Sequence, residues 1–117
     1  KLISETKARV PKIETEALKR MIEADQDFVL LDVRMPGEIE RMGKIPARQQ
    51  VEIPRGWLEV RIFGQVLDRD TPIVAYCGAG IRSAFAVETL QGLGFTDVRN
   101  YEEGLIGWAE QGNPVAH

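Results

Sequence analysis

One residue in this chain is a ready nucleophile: Cys77, the only cysteine among 117 residues. It stands in the stretch PIVAYCGAGIRSAFAVETL, residues 72–90, at the end of an apolar run and just before Gly78, Gly80 and Arg82. A cysteine thiol starts from a pKa of about 8.5 and falls to roughly 3.5–7.5 beside cations or at a helix N-terminus. Arg82 supplies such a cation and could hold an anionic substrate in a forked contact. The two glycines let the backbone curl without side chains in the way, so that successive N–H groups can line an anion-binding concavity. A helix starting between Ile81 and Ser83 would aim the positive end of its dipole at the same space. The chemistry this pattern offers is nucleophilic attack by a cradled thiolate.

Each part has a plainer reading by itself. Free cysteine is among the most buried residue types, glycines are ordinary in turns, and a lone arginine is most often a solvated charge. A turn, however, needs neither the cysteine nor the arginine, and it is the combination that points to a site.

The elements that must position this loop are those of an α/β domain, because short apolar runs alternate with helical patterns along the chain. Five strands are predicted: VPKI (weak), DFVLLDV, VEI, PIVAY and DVRNY. Between them, TEALKRMIEA follows a Thr15 N-cap and sets Leu18, Met21 and Ile22 on one face. PGEIERM opens with a proline suited to a first helical turn, and WLEVRIFGQVL is expected to bend or break at Gly64. SAFAVETLQGLG starts with Ser83 as a candidate cap, GLIGWAEQG forms a last short helix, and NPVAH reads as a tail. In open α/β sheets ligands collect beyond the carboxyl ends of the strands, which is where Cys77 follows PIVAY.

The length fits one domain over residues 1–117, with no internal repeat or low-complexity linker. With 44% hydrophobic and 28% charged residues and a net charge of −3, the composition is that of a soluble globular protein, with no general field for nucleic acid or an anionic membrane. No apolar run approaches the roughly 20 residues of a membrane span, and KLISETKARV lacks the apolar centre of a signal peptide. The chain begins at Lys1, which leaves the compartment open: cytoplasmic is expected, and periplasmic if an upstream signal had been removed. A single cysteine excludes an intrachain disulfide.

Other candidates are secondary. Asp32 and Arg34, at the end of the second strand, read as a pair that braces the loops rather than as catalysts. Arg55 and Arg61 could collect anions at the pocket mouth but read first as solvated charges, and Trp57 and Trp108 as core or rim packing. The only histidine, His117, is at the tail, so the chemistry must work without a histidine base, as an ionised thiolate can.

At these residues the sequence resembles a single-domain rhodanese, a member of the sulfurtransferase superfamily. The resemblance rests on FVLLDVRMPGEIERMGKIP, VEIPRGWLEV, YCGAGIRSAFAVETLQGLGF and VRNYEEGLIGWAEQGNPV, in that order along nearly the whole chain. It implies a rhodanese-like parallel β-sheet flanked by α-helices on both faces. It also implies that Cys77 takes a sulfane sulfur from thiosulfate or a polysulfide or persulfide donor, holds it as a persulfide and passes it to a thiol or cyanide acceptor. The amides of Gly78, Ala79, Gly80, Ile81, Arg82 and Ser83 would bind the donor, with Asp32 and Arg34 in support. Two displacements at sulfur imply no metal or organic cofactor. The expected partners are a small sulfur-containing anion and the acceptor, with a sulfur-accepting protein as one form of acceptor, and a site built from one loop suits a monomer.

Two other functions fit less well. Cell-cycle phosphatases and arsenate reductases use a similar cradle, but the phosphatases place five residues between cysteine and arginine, whereas four, Gly78 to Ile81, stand here. A sulfur carrier or a redox or sulfide sensor without rapid turnover would use the same low-pKa thiolate. The sequence departs from the commonest family pattern at Lys44, Arg48 and Glu103, outside the loop. Because Arg82 is the loop's only charged side chain, donors more neutral or bulkier than thiosulfate also fit.

Overall fold

The computed structural model describes residues 2–117. In chain order its elements are α1 (Leu2–Arg9), β1 (Lys12–Ile13), α2 (Thr15–Glu23), β2 (Val29–Asp32), α3 (Pro36–Met42), β3 (Gln50–Glu52), a 3-10 turn (Arg55–Trp57), α4 (Leu58–Gln65), β4 (Ile73–Tyr76), α5 (Ile81–Gly92), β5 (Val98–Tyr101) and α6 (Gly104–Glu110). The five strands form one parallel sheet in the order β1-β5-β4-β2-β3. Strand β4, which leads into Cys77, is therefore central and paired on both edges.

The near-continuous apolar strands follow from burial on both faces. In β2 and β4 every residue is buried, and successive side chains enter opposite cores. Val29, Leu31, Ile73, Ala75 and Cys77 pack with Leu58 and Ile62 of α4 and Ala84, Val87 and Leu90 of α5. Leu30, Val74, Tyr76 and Tyr101 pack on the other face with Leu18 and Met21 of α2 and Leu105 and Trp108 of α6. Helices thus cover both faces, as the sequence implied.

Several boundaries differ from the sequence reading for local reasons. Glu14, not Thr15, is the cap residue of α2; Thr15 is buried in the first turn, its hydroxyl 2.6 Å from that of Tyr101. Helix α4 includes Gly64 but ends one residue later at Gln65, with Val66 already extended, so the break falls next to the expected position. The tail is not free: Ala116 exchanges two 2.8 Å backbone hydrogen bonds with Lys44. Helix α1 was not foreseen; Val10, just after it, enters the α5-side core, and Arg9 forms an ion pair with Glu88 of α5. Among the described residues no helix is long and apolar enough to cross a membrane.

Candidate active site

Strand β4 delivers Cys77 to the carboxyl edge of the sheet, and α5 begins four residues later. Gly80 makes that quick turn possible: it caps α5 with φ of +84°, and a Cβ there would stand 2.1 Å from the carbonyl oxygen of Glu102. No other residue type fits that position without moving the backbone. The turn brings the Gly80 N–H to 3.1 Å from Cys77 Sγ, and the Ser83 hydroxyl lies 3.5 Å from the same sulfur. Ser83 is fully buried in the first turn of α5; its hydroxyl is turned to the thiol, and it does not cap the helix.

Cys77 is only 2% exposed. Burial pushes its thiol up, but the hydroxyl of Ser83 and the amides of Ser83, Ala79 and Gly80 outweigh burial, so the net displacement is below the ordinary thiol value. The loop therefore favours thiolate through fixed dipoles.

Arg82 is more committed than its sequence suggests. Its Nη1 and Nη2 donate to the two carboxylate oxygens of Glu38 at 2.7 and 2.8 Å. That pairing is the main reason its proton is held more tightly than usual; burial opposes it and the Cys77 sulfur adds to it. Gly78 and Ile81 shape the loop, Ile81 with a 41% exposed side chain at its rim.

Asp32 and Arg34 form a buried ion pair at the end of β2. Arg34 Nε and Nη2 donate to Asp32 at 2.9 and 2.8 Å, and Nη2 also reaches the Gly43 carbonyl at 2.8 Å. The guanidinium lies 5.4 Å from the Tyr76 ring centre, on the face of the sheet opposite Cys77. The pair thus ties the end of β2 to the end of α3, away from the sulfur. Arg55 pairs with Glu59 and Thr89, Arg61 stacks on a half-exposed Trp57, and Trp108 is core.

Three features at the site escape the sequence reading. Glu38, 44 residues before its partner, carried no sign of that contact. The first turn of α6 supports the cysteine loop: Leu105 and Ile106 amides donate to the Cys77 and Gly78 carbonyls at 2.9 and 3.1 Å. Asn100 donates to the Gly80 carbonyl at 3.3 Å from inside the core. The available signal was Gly104, a glycine just beyond the end of β5 where α6 begins.

Two clefts lie away from Cys77, one of about 330 Å³ beside β1 and α2 and one of about 310 Å³ between α3 and the tail. Among the described residues no three His, Cys, Asp or Glu side chains gather as metal ligands.

Comparison with known proteins finds relatives along most of the chain. The chain is 34% identical over 106 residues to a sulfurtransferase of Allochromatium vinosum, covering 91% of this chain and 94% of that one. It is 36% identical over 105 residues to the putative sulfurtransferase YtwF of Bacillus subtilis, covering 90% and 96%. Among solved structures, the polysulfide-sulfur transferase homodimer of Wolinella succinogenes superposes with a TM-score of 0.84 at 31% identity, over 97% of this chain and 83% of that one. The model of the rhodanese-like domain matches residues 14–111, which run from the start of α2 past the end of α6 and include the whole cysteine loop. On that match the chain belongs to the rhodanese-like domain family, whose relatives named above are sulfurtransferases.

Proposed function

We propose that the chain moves a sulfane sulfur from a small donor such as thiosulfate or a persulfide, through a Cys77 persulfide, to a thiol or cyanide acceptor. The observation that carries this reading is the environment of Cys77 Sγ, with the Gly80 N–H at 3.1 Å and the Ser83 hydroxyl at 3.5 Å at the start of α5. These groups favour the thiolate over the thiol, and the thiolate is the form that can attack without a histidine base. In the first displacement the thiolate bonds to the donor's terminal sulfur, and the donor's own S–S bond breaks with its electron pair leaving on sulfite or on a thiolate. In the second, the acceptor attacks the outer sulfur of the persulfide, and Cys77 leaves as thiolate. Atoms and charge balance in both steps, and no redox partner is consumed.

The loop amides from Gly78 to Ser83 stabilise the negative charge that moves between the sulfurs. Deep burial of Cys77 favours donors that present a slender terminal sulfur. The test is steady-state formation of thiocyanate from thiosulfate or cysteine hydropersulfide with cyanide. Wild type is expected to turn over and Cys77→Ser to be inactive yet folded; full turnover by Cys77→Ser would overturn the covalent route.

A further inference from the structure

Arg82 is the only charged side chain between Cys77 and Ser83, and Glu38 already engages it. Glu38 is itself held in place, since its Oε1 also accepts the Met35 amide at 2.9 Å in the first turn of α3. The two side chains are partly shielded, 39% exposed for Arg82 and 28% for Glu38. The hydrogen bonds from Arg82 keep the Glu38 carboxyl down at about 2, so the pair is fully ionised wherever the thiol can react. As a unit, Glu38 and Arg82 bring no net charge to the loop. The groups within hydrogen-bond distance of Cys77 Sγ, the Gly80 amide and the Ser83 hydroxyl, are neutral dipoles, and Arg82 adds to them only as one half of an ion pair.

Exposed apolar side chains adjoin the loop and the Glu38 pair. Ile81 is 41% exposed and Ile106 44%, and the Ile106 Cδ1 lies 3.8 Å from where a Cβ on Gly78 would stand. Met35, whose amide binds Glu38, is 56% exposed. These side chains offer contact to a carbon-bearing donor and no free cation to a sulfonate. Thiosulfate keeps two negative charges around one sulfur centre and needs a free cation to offset their desolvation, whereas the S–SH group of an organic hydropersulfide carries at most one, on the transferred sulfur.

We propose that Glu38 is a positioning residue that sets donor specificity: by neutralising Arg82 it turns the Cys77 site toward organic hydropersulfides and away from thiosulfate. This rests on the sulfur-transfer reading above. With a hydropersulfide, the Cys77 thiolate bonds to the outer sulfur, the S–S bond breaks, RS⁻ leaves and Cys77–S–SH remains. With thiosulfate, the same attack releases sulfite and leaves Cys77–S–S⁻.

The experiment compares loading of Cys77 by thiosulfate and by cysteine hydropersulfide in wild type, Glu38→Gln, and Glu38→Gln combined with Arg82→Gln, read by intact mass at low and high salt. Wild type is expected to have the larger kcat/KM for the hydropersulfide. In Glu38→Gln the thiosulfate-to-hydropersulfide ratio is expected to rise about threefold to tenfold, through KM, with a new salt dependence as the freed cation meets a dianion. Removing Arg82 as well should cancel that rise, which a merely loosened loop would not do. A wild type that prefers thiosulfate, or a ratio that stays level or falls in Glu38→Gln, would overturn the proposal, and the wild-type comparison stands even if a variant fails to fold. If neither donor loads Cys77, the sulfur-transfer reading itself fails, and the specificity proposal with it.

Discussion

The amide of Leu105 donates to the carbonyl of Cys77 at 2.9 Å, so the turn that opens α6 holds the turn that carries the nucleophile. The contact needs Gly104, whose φ is +65° and where a Cβ would stand 2.4 Å from the Gly78 carbonyl oxygen. Gly104→Ala is therefore expected to cost about 3 kcal/mol of stability, from backbone strain and forced separation of the two loops. Urea unfolding checks this, and a change within about 0.5 kcal/mol would show that the loops are not locked together.

Gly80→Ala acts on the same loop from its other side. The variant must move the backbone that aims the Gly80 N–H at Sγ, because a Cβ at this position meets the Glu102 backbone. Loading of Cys77 with sulfur is expected to fall about a hundredfold, the scale seen when one preorganised donor to a developing charge is lost. Stopped mixing with a sulfane donor and mass readout measures it; near-normal loading would mean that this amide is not what stabilises the sulfur.

Ser83→Ala removes a hydroxyl that helps to lower the Cys77 pKa. Thiolate forms as pH rises, so alkylation of Cys77 by iodoacetamide should climb with pH and reach its midpoint below that of an ordinary thiol. In Ser83→Ala the midpoint is expected to move to higher pH, with the rate at neutral pH roughly threefold to tenfold lower. An unmoved midpoint would leave the backbone amides as the sole cause.

The Glu38 carboxyl, held at about 2 against an ordinary 4.5 chiefly by the hydrogen bonds from Arg82, links this pair to acid stability. A lowered carboxyl pKa stabilises the fold fully above about 4.5, and that contribution is lost as pH falls toward 2. With allowance for solvent around a partly exposed pair, it amounts to about 1 kcal/mol. The stability difference between wild type and Glu38→Gln is expected to hold above pH 5 and shrink below about 4. Urea unfolding across pH 3–7 tests this, and a difference independent of pH would contradict it.

Asp32→Ala leaves the Arg34 guanidinium buried without its carboxylate. A loss of about 3–5 kcal/mol is expected, since an unpaired buried charge costs more than the pair supplies. Thermal and urea unfolding measure it, and a loss under about 1 kcal/mol would mean that water or Gly43 replaces the partner.

Much of this architecture was legible because strands buried on both faces leave unbroken apolar runs, as in FVLLDV and PIVAY, and helices between them keep their own period. Helix α1 was not, because LISETKAR has no clear apolar stripe and is anchored by Arg9 and Val10 against α5. At the site, Cys77, the glycines and the start of α5 were readable from local spacing. The Glu38 contact was not, since a glutamate in a first helical turn looks the same whether it caps its helix or also reaches an arginine 44 residues away. Ser83 shows the same limit: a serine at a helix start reads as a cap, and only the fold reveals that it faces sulfur.

The most direct test of the central claim is the intact mass of the protein after a sulfane donor, and again after cyanide. The account predicts a gain of one sulfur atom located on Cys77 and its quantitative return as thiocyanate, cycle after cycle, with no gain in Cys77→Ser. Mass unchanged by every donor, or sulfur that loads elsewhere than Cys77, would contradict it.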